Sequence, residues 1–185
     1  MGIRQQHVCS TDINLSTQYS KGTDMAVKRY STGYRNSLGE AGGKSHADIL
    51  ANGIMALFGG TIPASADDAE GATPLILITL SSGAFTAGVS TNGINFDVCT
   101  AGVLYKKVGE IWSGVGTSEA ASPGVVATWG RFYSNAYVTG ASTTSERVDF
   151  DVATSGATLN LGNTLILENA TTTVDNASLT ISEAG

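Results

Sequence analysis

The chain has 185 residues, with 23 Gly, 3 Pro, 2 Cys and only 14% charged side chains, against about 25% in an average globular protein. That length suits one domain able to bury a core without metal or disulfide staples, and 42% apolar residues exclude a disordered chain. The net charge of −6 is unevenly spread: residues 1–45 hold six basic against three acidic side chains, and the remainder four basic against thirteen acidic.

Met1–Gly43 is polar, with single apolar residues and no sustained period of 2 or 3.6. Such a stretch cannot bury enough surface to fold alone. Residues 1–45 are therefore expected to be an extended N-terminal arm that orders against neighbours. Ile13, Leu15, Tyr19, Tyr30 and Tyr34 supply its anchors, and Lys28, Arg29 and Arg35 pair with acidic groups of a partner. Six basic residues dispersed among acids over 45 positions make no dense patch, so nucleic acid is disfavoured as that partner. No basic n-region and h-region follow Met1, and the longest apolar stretch, Pro74–Leu80, is far short of a membrane span. Neither a secretory signal nor a membrane partner is expected.

A short helix is conceivable over Ala47–Leu57, where Ile49, Leu50, Ile54 and Leu57 lie near helical spacing, but Gly53 interrupts it and Gly59-Gly60 end it. From Asn52 onward the signals are β: Ile54–Phe58, Leu75–Leu80, Ala84–Val89, Gly93–Cys99, Val103–Val108, Ile111–Val115, Val125–Ser134, Arg147–Ala153, Thr158–Leu167 and Thr171–Ile181. Short strands between Gly/Ser/Asn/Thr turns, without βαβ spacing, predict an all-β, jelly-roll-like antiparallel β-sandwich over residues 46–185.

Chemistry-bearing clusters are sparse. His7 and His46 are the only histidines, and His46-x-Asp48 lacks a third ligand. Asp67-Asp68-Ala69-Glu70 lacks the alternating oxygen pattern of a calcium loop and is expected to be a solvated loop. Asp149 and Asp151 share a strand face with Arg147, as a glycosidase pair might, though a polar outer face is the expectation. Cys9 and Cys99 match no metal or redox motif and are expected to be thiols, with a disulfide between them left open. Asn169 and Asn176 begin glycosylation patterns that have no consequence without secretion. Neither catalysis nor a cofactor is expected. Trp129, Arg131 and Tyr133 alternate on one strand face. Exposed, they would form a sugar platform or interface hot spot; as core residues they would simply pack, the more common outcome.

Several segments, in order, carry a resemblance: Ser31-Thr32-Gly33-Tyr34-Arg35-Asn36-Ser37-Leu38, Asn52-Gly53, Pro63-Ala64-Ser65-Ala66-Asp67-Asp68-Ala69, Gly83-Ala84-Phe85, Trp112-Ser113-Gly114, Trp129-Gly130-Arg131-Phe132 and Asp149–Leu159. Over roughly residues 31–182 the chain resembles small virion structural proteins encoded in tailed-phage and prophage gene clusters. The resemblance implies a non-enzymatic virion subunit. The expectation is a capsid decoration (cement) protein that forms a homo-oligomer, most naturally a trimer, and binds the major capsid protein or other virion proteins. A neck, tail or fibre component and a carbohydrate-binding β-sandwich are the alternatives. The first 30 residues depart from the family pattern and fit an added arm.

Overall fold

The computed structural model describes residues 26–181. Along the chain run β1 (Lys28–Tyr30), α1 (Thr32–Gly39), α2 (His46–Leu50), β2 (Ile54–Phe58), β3 (Ile76–Leu80), β4 (Val103–Tyr105) and β5 (Trp112–Val115). After a 3-10 turn at Ser118–Ala120 come β6 (Val125–Val126), β7 (Trp129–Tyr133), β8 (Arg147–Ala153), β9 (Leu159–Asn160), β10 (Leu165–Ile166), β11 (Thr171–Val174) and β12 (Ser178–Thr180). The protein is all-β and mostly antiparallel. Eight strands form the main sheet in the order β1-β8-β7-β2-β3-β5-β11, with β9 added parallel to β8. The pairs β10-β6 and β12-β4 make two small sheets.

The sequence of β2 (Ile-Met-Ala-Leu-Phe) does not alternate, and a continuous apolar run marks a strand covered on both faces. All five residues are buried. Met55 and Leu57 enter the main core with Phe132, Val148, Phe150, Trp112 and Leu179. Ile54, Ala56 and Phe58 point the other way, into a second cluster with Trp129 and Tyr133. There Phe58 stacks on its cross-strand partner Trp129 with centroids 4.2 Å apart. Burying an aromatic or branched side chain contributes roughly 1.5–3 kcal/mol, so both faces hold this sheet.

Two expectations about local structure change. The conceivable Ala47–Leu57 helix is cut to α2, which stops at Leu50; Ala51–Gly53 turn the chain, and Ile54–Phe58 is the strand its β signal predicts. Ala84–Val89 forms no strand, and Gly93–Cys99 contributes only the isolated bridges of Ile94 and Phe96.

The arm boundary also moves. Residues 28–45 are built into the body: β1 pairs with β8, placing Lys28, Arg29 and Tyr30 opposite Phe150, Asp149 and Val148, and α1 follows at once. Ser31 is the reason for the tight junction. Its buried hydroxyl accepts from the N–H of Tyr34 at 3.2 Å, which caps α1, and from the N–H of Arg147 at 2.9 Å. It also donates to the carbonyl of Ser145 at 2.6 Å. A polar stretch without periodicity reads as an arm, but here its hydrogen bonds are made to the sheet rather than within itself.

Candidate functional site

The face of the main sheet opposite the larger core carries a row of charge: Arg29 on β1, Asp149 on β8 and Arg131 on β7 stand directly opposite one another. Arg131 donates to Asp149 twice, from Nε at 2.5 Å and Nη2 at 2.8 Å. Its Nη1 donates to the Asp68 carbonyl and to Glu70 Oε1, both at 2.9 Å. Glu70 further accepts from the Tyr133 hydroxyl and from the N–H of Gly140, each at 2.8 Å. Arg147, also buried, donates to the carbonyls of Gly140 and Ser142 at 2.5 and 2.9 Å, while its Nε has no partner.

The electrostatics follow from this packing. Burial works against the charge on Arg131, but the hydrogen bonds and charge of Asp149 raise its pKa on balance. Burial pushes the Asp149 carboxyl up, with Arg131, Arg147 and Arg29 pulling against it. Burial and the neighbouring Arg131 lower the pKa of Arg147. Glu70 resists its own burial and is held below the ordinary carboxylate range by Gly140, Tyr133 and Arg131. Burial, reinforced by Glu70, raises Tyr133 well above its usual value. Bidentate and charge-assisted bonds of this kind fix geometry, and Arg131, Arg147 and Asp149 offer no solvent-facing atom for chemistry.

One alternative is excluded here and two expectations are corrected. The row Trp129, Arg131 and Tyr133 is 1%, 0% and 1% exposed, covered by the loop that carries Glu70, so no stacking face is open to a sugar. Asp149 belongs to the interior rather than to a polar outer face, although Asp151 is half-buried. The segment Asp67–Glu70 is a set of tethers rather than a solvated loop. Asp67 accepts from the N–H of Thr32 at 2.8 Å and from its hydroxyl at 2.6 Å, a second cap for α1.

The residues assigned to partner binding are mostly engaged at home. Lys28 donates to the Thr180 carbonyl and Arg29 to the Pro63 carbonyl at 2.8 Å. Arg35 donates to the Thr32 hydroxyl at 3.1 Å, beside Asp67. Lys44 meets Glu146 at 2.7 Å. Tyr34 is wholly buried and stacks at a tilt on Tyr30, with centroids 4.9 Å apart. Its hydroxyl lies 2.7 Å from His46 Nδ1. Burial raises both tyrosines, keeping their protons, and lowers His46. A neutral imidazole whose Nδ1 accepts a hydrogen bond from the Tyr34 hydroxyl satisfies all three shifts. Ile13, Leu15 and Tyr19, with His7 and Cys9, lie outside the described residues; Cys99 is exposed.

The acidic partners of the arginines were missed in the sequence.

Among the described residues, ten large apolar side chains are exposed. Four of them, Val98 (79%), Tyr105 (52%), Val108 (87%) and Ile111 (57%), belong to the single stretch 98–111. No group of three or more His, Cys, Asp or Glu among the described residues is placed to hold a metal ion, and no helix among them is long and apolar enough to cross a membrane. No family model, curated protein or solved structure matches the chain.

Proposed function

We propose that this chain is a non-enzymatic structural subunit of a tailed-phage virion, and most specifically a decoration protein of the head shell that works as a homo-oligomer, with a trimer as the working model. The observation that carries the reading is the stretch 98–111, which sets Val98, Tyr105, Val108 and Ile111 in solvent on a protein otherwise poor in surface charge. Exposed apolar side chains concentrated in one stretch of chain are what an apolar contact surface would draw on. The motif series from Ser31 to Leu159 supports the virion setting by resemblance. A body whose buried charged groups, Arg131, Arg147 and Asp149, are held in internal hydrogen bonds suits a passive load-bearing part. The contact with other copies and with the major capsid protein would then be mainly apolar, of roughly 2,000 Å² or more if permanent. Of the residues expected to bind a partner, Tyr30 and Tyr34 pack into the body, Lys28 and Arg29 bond within it, Arg35 stays exposed, and Ile13, Leu15 and Tyr19 lie outside the described residues.

The test is the copy number and position of the labelled protein on purified particles. Tens to hundreds of copies over the head support decoration. A handful at one vertex or along the tail moves the protein to the neck, tail or fibre, and absence from particles overturns the virion reading.

A further inference from the structure

The two ends of the main sheet are finished differently. Strand β1 closes one end and carries Lys28 and Arg29, charged residues of the kind that keep a sheet edge from pairing with another. Strand β11 closes the other end. Its sequence, Thr-Thr-Thr-Val, is β-branched throughout and holds no charge and no proline. The N–H of Gly116 donates to the Ala170 carbonyl at 2.9 Å, which sets the phase of the ladder between β11 and β5. Thr172 and Val174 exchange hydrogen bonds with Gly114 and Trp112, so the N–H and C=O groups of Thr171 and Thr173 point away from β5. Among the described residues no strand and no hydrogen bond takes them up. A hollow of about 320 Å³ lies beside this edge, lined by Thr171–Thr173 and by Leu165 and Leu167, which are 38% and 43% exposed.

We infer that β11 pairs with β11 of a second copy of this chain, antiparallel about a two-fold axis through Thr172, and so joins the two main sheets into one. The register follows from the free groups. With the axis at Thr172, Thr171 of one copy stands opposite Thr173 of the other, and each such pair exchanges N–H to C=O bonds in both directions. Every free group of Thr171 and Thr173 is then satisfied at once. Moving the axis to Thr171 or to Thr173 pairs Thr173 with Asn169 or Thr171 with Asp175 instead, and both of those lie outside the strand. Charge points to the same occupant. Across a two-fold axis a strand meets itself, so a charge on it would face its like. The chain carries a net −6, yet Asn169–Val174 carries no charge. Such an edge accepts its own copy and offers nothing to select a charged peptide. Threonine opposite threonine is a favourable cross-strand pair, and Leu165 and Leu167 beside the edge supply apolar surface for the second body to cover. So short a contact buries less than the roughly 1,200 Å² of a standard stable complex, so the pairing is reversible, with a dissociation constant on the order of 100 µM. It uses no residue of the stretch 98–111 and goes beyond the virion reading, so either can fail without the other.

Sedimentation velocity and amide exchange by NMR on the full chain, at concentrations from about 10 µM to about 1 mM, test it. The expected result is a reversible doubling of mass. With it, the Thr171 and Thr173 amides exchange more slowly as concentration rises, while those of Thr172 and Val174, already bonded to β5, change little. The double variant Thr171→Lys/Thr173→Lys sets lysine opposite lysine at exposed positions and should weaken the association at least tenfold, as should Thr171→Glu/Thr173→Glu. An equimolar mixture of the two variants should associate again, which an edge that had merely lost its fold would not do. A mass that never doubles in this range overturns the inference, and so does failure of the mixed variants to associate. Slow exchange at Thr171 and Thr173 that does not depend on concentration overturns it as well, since the edge is then filled within one chain. Association that the lysine variant leaves unchanged does the same, since another surface then makes it.

Discussion

Arg131 and Asp149 face each other across β7 and β8 with two parallel hydrogen bonds, and both side chains are fully buried. A buried pair of this kind contributes little net stability relative to a well-packed apolar pair, yet removing one partner leaves the other charge stranded. Arg131→Met or Asp149→Leu alone should therefore cost about 3–5 kcal/mol in chemical denaturation. The double replacement should recover most of that loss. A double variant no better than the worse single one would mean that Glu70 and the Asp68 carbonyl, not Asp149, are the partners that matter.

The contact of Tyr34 with His46 makes stability depend on pH above the carboxylate range. His46 has its pKa lowered in the folded protein by burial, so the unfolded chain binds the proton more readily. The contribution is complete above the unfolded value of about 6.5 and is lost as pH falls below it toward the folded value. Unfolding free energy measured between pH 7.5 and 5 should fall for the wild type and fall less steeply for His46→Gln. Equal slopes would show that the ring is solvated in practice.

Gly33 is held where no side chain fits. A Cβ there would stand 2.3 Å from the Thr144 carbonyl oxygen and 2.7 Å from that of Ser145, because α1 lies directly on the backbone that leads into β8. Gly33→Ala should destabilise by roughly 1–3 kcal/mol through forced backbone movement. Thermal melts would show it, alongside Gly39→Ala, where nothing lies within 4 Å, as the silent control.

Truncation distinguishes an appendage from a structural strand. Removing residues 1–24 should leave a single cooperative transition, since β1 and the Ser31 junction remain. Removing residues 1–30 strips β1 from β8, uncovers Phe150 and deletes Arg29 beside Asp149, and should cost roughly 2 kcal/mol or more. If both truncations unfold alike, β1 is dispensable and the boundary near residue 45 returns.

The all-β class was legible because turn chemistry and short β-rich runs repeat along the chain, and β2 announced its double burial by failing to alternate. What stayed hidden were the long-range partners of polar residues. Asp67, Glu70 and Asp149 look like surface carboxylates in sequence, since nothing local records that Thr32, Tyr133 and Arg131 lie 35, 63 and 18 residues away. The uneven charge misled for the same reason. Four of the six basic residues of the first 45 find their bonding partners within the same folded body. The alternation of Trp129, Arg131 and Tyr133 correctly put them on one face, but periodicity does not tell which face a loop will cover.

Strand β2 lies between two cores that share no side chain. Neither core can melt while β2 stays paired, and losing β2 opens both at once, so the two faces are bound into one unfolding event. The amides of Met55, Ala56 and Leu57 should be the slowest in the molecule to exchange, opening only with the whole body. A push or pull on either face is then resisted by the same five residues, which gives the protein a single mechanical spine.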